Sequence, residues 1–129
     1  MAVTKQLSIM LENRGGAFAL LCSKFAEKAI NILGLMVPDQ TGVAPVRLVV
    51  SSHEAAKKTL DDLNLKFSEE DVLLVQLSDR PGALGKLTRK LADRDIDLKY
   101  AYGTILKGAG RATVVLAVSD IEGAEKIAR

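Results

Sequence analysis

The stretch Ser78-Asp79-Arg80-Pro81-Gly82-Ala83-Leu84 closes an apolar alternating run and opens an amphipathic one, as Glu12-Asn13-Arg14-Gly15-Gly16-Ala17-Phe18 does earlier. Arg80 lies 66 residues after Arg14. At that spacing Asp79 answers Asn13, Gly82 answers Gly16, Leu87 answers Leu21, Lys90 answers Lys24 and Ile96 answers Ile30. A second match sets Ser51-Ser52-His53-Glu54-Ala55-Ala56 against Ser119-Asp120-Ile121-Glu122-Gly123-Ala124 at a spacing of 68, with the extra residues assigned to the turn at Lys107-Gly108-Ala109-Gly110. Matches at one period, with the same order of patterns between them, mark two copies of one supersecondary unit.

Within the first copy, Leu7, Ile9 and Leu11 alternate and predict a strand over Lys5 to Glu12. Asn13 is placed to cap a helix over Ala17 to Ile30 whose inward stripe is Phe18, Leu21, Cys22, Phe25, Ala26 and Ala29. Ile32 to Val37 and Pro45 to Val50 predict a hairpin around the turn cluster Pro38-Asp39-Gln40-Thr41-Gly42. Ser51 and Glu54 have the spacing of a capping box before a helix over Ser52 to Leu63, with Ala56, Leu60 and Leu63 inward. Leu65 to Phe67 reads as a short last strand and Ser68 to Asp71 as a linker.

The second copy repeats this order. A strand over Val72 to Leu77 is followed by a helix from Gly82 to about Arg94 with Leu84, Leu87 and Leu91 inward, then by a hairpin of Ile96 to Gly103 with Arg111 to Val118. Ser119 and Glu122 again have capping-box spacing, and the sequence stops at Arg129 before a fourth strand. The expected units are therefore residues 1–68 and 69–129, each strand-helix-strand-strand-helix-strand, the second lacking its final strand. That absence predicts an unpaired edge along Val72 to Leu77, open to a partner, and favours a homodimer, with a shortened sequence whose last strand lies beyond Arg129 as an equal alternative.

Size and composition bound the rest. A single copy of about 65 residues buries too little surface to be comfortably stable, so the copies should share an interface. The 129 residues are 48% apolar and 26% charged, as in a soluble globular chain. Net charge is +2, with Lys and Arg exceeding acids by 8 to 6 in residues 1–66 and balancing at 10 to 10 afterwards, too weak a field to call for nucleic acid. One cysteine excludes an internal disulfide, and no apolar run approaches the ~20 residues of a membrane span. The opening residues lack a signal-type apolar segment, and a cytoplasmic setting is the default.

These residues resemble the ACT domain family of small amino-acid-sensing regulatory modules, and the whole chain is similar to a stand-alone tandem pair of them. The resemblance rests on Asp79-Arg80-Pro81-Gly82-Ala83-Leu84, the alternating strand before it and Ile96-Asp97-Leu98 after it. It implies tandem ferredoxin-like α+β units, with antiparallel sheets and helices on one face, and a small amino acid held where paired domains meet near the first turn. Carried onto this chain, the implied ligand-binding residues are Asn13, Arg14, Gly15, Gly16 and Ala17 in one copy and Asp79, Arg80, Pro81, Gly82 and Ala83 in the other. Gly15 stands where Pro81 stands, so the first turn is less fixed in backbone angle and the two sites need not be equivalent.

The chemistry agrees with that implication: glycine lets backbone approach a ligand, and helix N-terminal amides suit a carboxylate. Gly34 and Gly103 are candidates for leaving room on neighbouring strands. Against it stands a plain strand-to-helix turn with Asn13 and Asp79 as caps, and a solvent-facing role for Arg14 and Arg80. Cys22 reads as a buried, inert residue and His53 as surface or cap material. No catalytic constellation, metal-ligand spacing or cofactor motif is present. Lys86, Arg89, Lys90 and Arg94 read as solubilising charge, and Tyr100 with Tyr102 as interface or pocket packing. The leading function is amino-acid effector binding that regulates a partner enzyme or transcriptional protein, without catalysis. The alternative is a structural or interaction subunit with no working ligand site.

Overall fold

The computed structural model describes residues 2–12, 15–38, 45–78, 80–104 and 110–127. Contacts divide the chain into two units, one of Lys5–Glu70 and one of Met1–Thr4 with Asp71–Arg129. Each is an α+β unit of antiparallel strands and two helices.

In the Lys5–Glu70 unit the elements are β1 (Ala2–Ile9, which begins before the unit), α1 (Gly15–Glu27), β2 (Ile32–Met36), β3 (Val46–Val50), α2 (His53–Asp62) and the start of β4 (Phe67–Ser78). The strands lie in the order β2-β3-β1-β4. Leu7 faces Leu48 and Ile9 faces Val46, while Leu48 also faces Leu35, so alternate residues of each strand fall on one side. That side carries Leu7, Ile9, Val46, Leu48 and Val50, packed with Leu21 and Phe25 of α1 and Ala56 and Leu60 of α2 in a single core. Both helices therefore cover the same face. Each of the larger side chains, Ala56 excepted, contributes about 1.5–3 kcal/mol of burial.

In the other unit the order is β5 (Leu98–Thr104), β6 (Arg111–Val118), β4 and β1, with α3 (Ala83–Asp93) and α4 (Ile121–Ile127). Leu73 and Val75 of β4, Val114, Leu116 and Val118 of β6, Leu87 and Leu91 of α3 and Ala124 of α4 form its core. No strand follows α4 among the described residues. The expected open edge is occupied in part: β1 is the neighbour of β4, and its residues Ala2–Thr4 belong to this unit. Three residues are fewer than the six of Val72–Leu77, so the open edge is shorter than the sequence implies.

Several local expectations are corrected. Ser68 to Asp71 is not a linker but the middle of the continuous strand β4. Its acids are supported there, since Ser8 Oγ donates to the Glu70 carboxylate and Glu69 meets His53. Ladder pairing and side-chain partners override the low strand propensity of Glu and Asp. Strand β1 begins at Ala2 rather than Lys5 and ends at Ile9.

The helix from Gly15 ends at Glu27, so Ala26 and Ala29 are exposed rather than inward, and Cys22 is half-buried. Ala29 sits at φ 57°, Asn64 at φ 56° and Asp95 at φ 56°, each just past a helix. Each is followed by an amide that reaches back to the last turn: Ile30 N–H to Phe25 O at 2.9 Å, Leu65 to Leu60 at 3.0 Å and Ile96 to Leu91 at 3.0 Å. This left-handed ending closes carbonyls that would otherwise be unpaired.

Neither predicted capping box forms. The N-cap of α2 is Ser52, without a side-chain bond, and α4 is capped by Asp120, whose Oδ1 accepts from Gly123 N–H at 3.0 Å. Ser51 and Ser119 bond elsewhere: Ser51 Oγ accepts from Asn31 N–H and Ser119 Oγ from Asp97 N–H, each at 2.9 Å. Gly103 packs closely against the neighbouring strand on the side where a Cβ would stand. A Cβ there would lie 2.8 Å from Thr113 O and 3.0 Å from Val114 Cα of the neighbouring strand.

Candidate functional site

The end of β4 and the start of α3 are joined by a tight turn. Arg80 N–H donates to Ser78 O at 2.9 Å, Ala83 N–H to Arg80 O at 3.2 Å, and Lys86 N–H to Gly82 O at 2.9 Å begins the helix. Pro81 fixes one backbone angle of this turn, and Gly82, the N-cap, adopts φ 90° and ψ −8°. A Cβ at Gly82 would meet nothing within 4 Å, so glycine is required by its backbone angle and not by crowding. A glycine cap brings no side chain to the first-turn amides, which leaves that helix end open to an acceptor from outside.

Beside the turn lies a depression of about 500 Å³. Its wall is made by Val75–Ser78 of β4, by Arg80 to Ala83, and by Lys86, Leu87 and Lys90 of α3, with Ile127 at one side. Arg80 Nε donates to Ser78 Oγ at 3.3 Å, a weak bond at an exposed position. Leu84, expected inward, is 45% exposed, because α3 turns Leu87 and Leu91 to the core instead.

Of the residues implied by the resemblance, Arg80, Pro81, Gly82 and Ala83 thus line one depression. Asn13, Arg14 and Asp79 lie outside the described residues. Gly15, Gly16 and Ala17 form the first turn of α1, where the helix already includes both glycines. The two copies therefore differ in backbone: a left-handed glycine cap after proline in one, helical glycines in the other. Sequence reasoning passed over Lys86 and Lys90 as solubilising charge. Their positions four and eight residues after Gly82 put them on the side of α3 that faces the depression, a helical spacing readable in the sequence.

A second polar group belongs to the Lys5–Glu70 unit. His53 Nε2 lies 2.5 Å from Glu69 Oε1, and Lys57 Nζ lies 3.2 Å from the same oxygen and 3.6 Å from Glu54 Oε2. The hydrogen bond from His53, then that from Lys57, holds the Glu69 carboxyl below its ordinary value, and the Glu69 bond raises Lys57. Ligand atoms of His53, Glu54 and Glu69 lie within 4.8 Å of one another, but the Lys57 ammonium already pairs with both carboxylates of that group. It is an ion-pair network tying α2 to β4.

Two α+β units with a strand-to-helix glycine turn define a tandem ferredoxin-like architecture. The chain belongs to the ACT domain pair family, which matches residues 1–127. Its structure is similar to that of a protein from Bacteroides thetaiotaomicron, at 28% identity and a TM-score of 0.89, covering 97% of this chain and 85% of that one. It also resembles the ligand-free regulatory subunit of aspartate kinase from Thermus thermophilus, at 12% identity and a TM-score of 0.67, covering 98% and 95%. Against E. coli aspartokinase III in complex with lysine and aspartate the values are 15% and 0.60, covering 99% of this chain and 31% of that one. No curated protein matches the chain. No helix among the described residues is long and apolar enough to cross a membrane.

Proposed function

We propose that this protein is an effector-binding regulatory module that takes a small amino acid or a close relative of one and passes the event to a partner enzyme or transcriptional protein. The carrying observation is the depression beside the Arg80–Ala83 turn, where a glycine-capped helix end and a half-apolar wall meet. An amino-acid carboxylate at that helix end gains the open amides and the helix dipole. Membership of the ACT domain pair family and likeness to an aspartate kinase regulatory subunit support the reading. The turn at Asn13 to Ala17 is the corresponding candidate in the first copy.

Regulation needs no chemistry in the module itself, and we assign it none. Its single histidine is engaged with Glu69 and its single cysteine sits on α1. A ligand that binds one arrangement of the module better than another shifts the balance between them, and a docked partner reads that shift. The proposed setting is cytoplasmic, with self-association as a further part of the proposal.

Thermal unfolding of the full chain against the twenty amino acids tests the reading. A native-state binder at about 100 times its Kd adds about 2.7 kcal/mol, so the midpoint must rise with concentration. Sedimentation of the same samples reports whether a homodimer forms. A flat response to every compound, confirmed by calorimetry, sinks effector binding and leaves an interaction subunit without a ligand.

A further inference from the structure

We infer that the depression at the β4–α3 turn selects a small anion with two negatively charged groups or a doubly charged one, such as an acidic amino acid, a dicarboxylate or a phosphorylated compound, over neutral or cationic ligands. This rests on the effector reading above and adds the charge class of the ligand. Three cations, Arg80, Lys86 and Lys90, line the depression, and no acid does among the described residues. The neighbouring Asp79 lies outside the described residues; counted in full, it leaves the balance positive.

The pairing pattern around these cations sharpens the inference. Arg89, on the same helix, is neutralised by Asp93, with Nε–Oδ1 at 3.0 Å and NH2–Oδ1 at 2.9 Å. Among the described residues neither Lys86 nor Lys90 has such a partner. Like charges four apart on a helix repel, and cations near a helix N-terminus oppose the dipole. Lys86 and Lys90 therefore repel one another with no acid between them, while Lys90, in the last turn of α3, is favoured by the dipole. An anion bound between them, Arg80 and the open amides relieves that repulsion and adds charge-assisted hydrogen bonds.

The first copy lacks the arrangement. Leu20 stands at the position of Lys86, and Lys24, which answers Lys90, is paired with Glu27 at 3.6 Å. Selection for such anions accordingly belongs to one unit of the pair.

The test uses the full chain and its Lys86→Gln/Lys90→Gln double variant, with Arg94→Gln as a charge control away from the depression. L-aspartate, succinate, inorganic phosphate, L-leucine and L-lysine are titrated at matched ionic strength, by thermal shift and calorimetry. The expected result is binding of one or more of the three anions, weakened at least about tenfold in the double variant and little changed in Arg94→Gln. Preference among aspartate, succinate and phosphate identifies which anion the site serves.

Binding of leucine or lysine that survives loss of both lysines overturns the charge assignment while leaving effector binding intact. Equal weakening by Arg94→Gln marks a diffuse field and overturns the site. No binding of any compound overturns this inference, and no response in the wider amino-acid panel overturns the effector reading as well.

Discussion

Ser119 and Asp97 hold one another through two hydrogen bonds, the Asp97 amide donating to Ser119 Oγ at 2.9 Å and the Ser119 amide donating to Asp97 O at 2.9 Å. Ser51 and Asn31 do the same, with both distances again 2.9 Å. The pair fastens the residue just past one hairpin strand to the chain entering the other. The serine that sequence spacing assigns to a capping box is thus used to close the hairpin.

Substitution separates these roles. Ser119→Ala and Ser51→Ala should each cost about 1 kcal/mol, the typical net worth of a hydrogen bond. Asp120→Ala should cost about 1 kcal/mol through loss of the α4 cap. Glu122→Ala and Glu54→Ala should fall within about 0.5 kcal/mol of the parent, since neither carboxylate completes a capping box. Urea denaturation of the full chain measures all five, and a large loss at Glu122 would restore the capping box.

The repeat, the helices and the hairpins were legible because periods of 2 and 3.6 in Leu7-Ile9 or Leu87-Leu91 report directly which side faces a core. The path of β4 was not. Ser68-Glu69-Glu70-Asp71 has the composition of a linker, and only distant partners, Ser8, His53 and Lys57, make it a strand. The neighbour of β4 was hidden for a related reason, since Ala2–Thr4 lies far from Val72 in sequence and carries no pattern of its own. At the site, the turn at Arg80–Ala83 was readable from its proline and glycine. The lysines were not recognised, because their significance depends on which cations find acids and which do not.

Glycine at position 82 and alanine at position 29 make opposite predictions. Both hold left-handed backbone, at φ 90° and 57°. Gly82→Ala should destabilise by about 1 kcal/mol, since a Cβ is disfavoured at that angle even with open space around it. Ala29→Gly should stabilise by roughly 0.5–1 kcal/mol by removing the same penalty, partly offset by the greater freedom of glycine when unfolded. Thermal melts of the two variants should move in opposite directions.

Close packing at Gly103 leads to a third. Alanine there would press on the backbone of β6, which cannot yield as a flexible side chain would. A loss of about 1–3 kcal/mol is expected, the usual cost of overpacking. A neutral Gly103→Ala would show that β5 can shift along its edge.

Acid titration tests the network at Glu69. Its carboxyl is held below the ordinary 4.5, chiefly by the bond from His53 and then by Lys57, so its contribution is present above 4.5 and is lost as pH falls through the lowered value. Lys57 is raised above 10.5 mainly by the same carboxylate, so its contribution is present below 10.5 and is lost as pH rises through the raised value. The attachment of α2 to β4 should therefore be strongest between these limits. Glu69→Gln should lower the melting midpoint at pH 7, and the gap to the parent should close as both are taken below the ordinary carboxylate range. A gap that stays constant down to pH 2 would mean that the loss comes from the shape of the side chain and not from its charge.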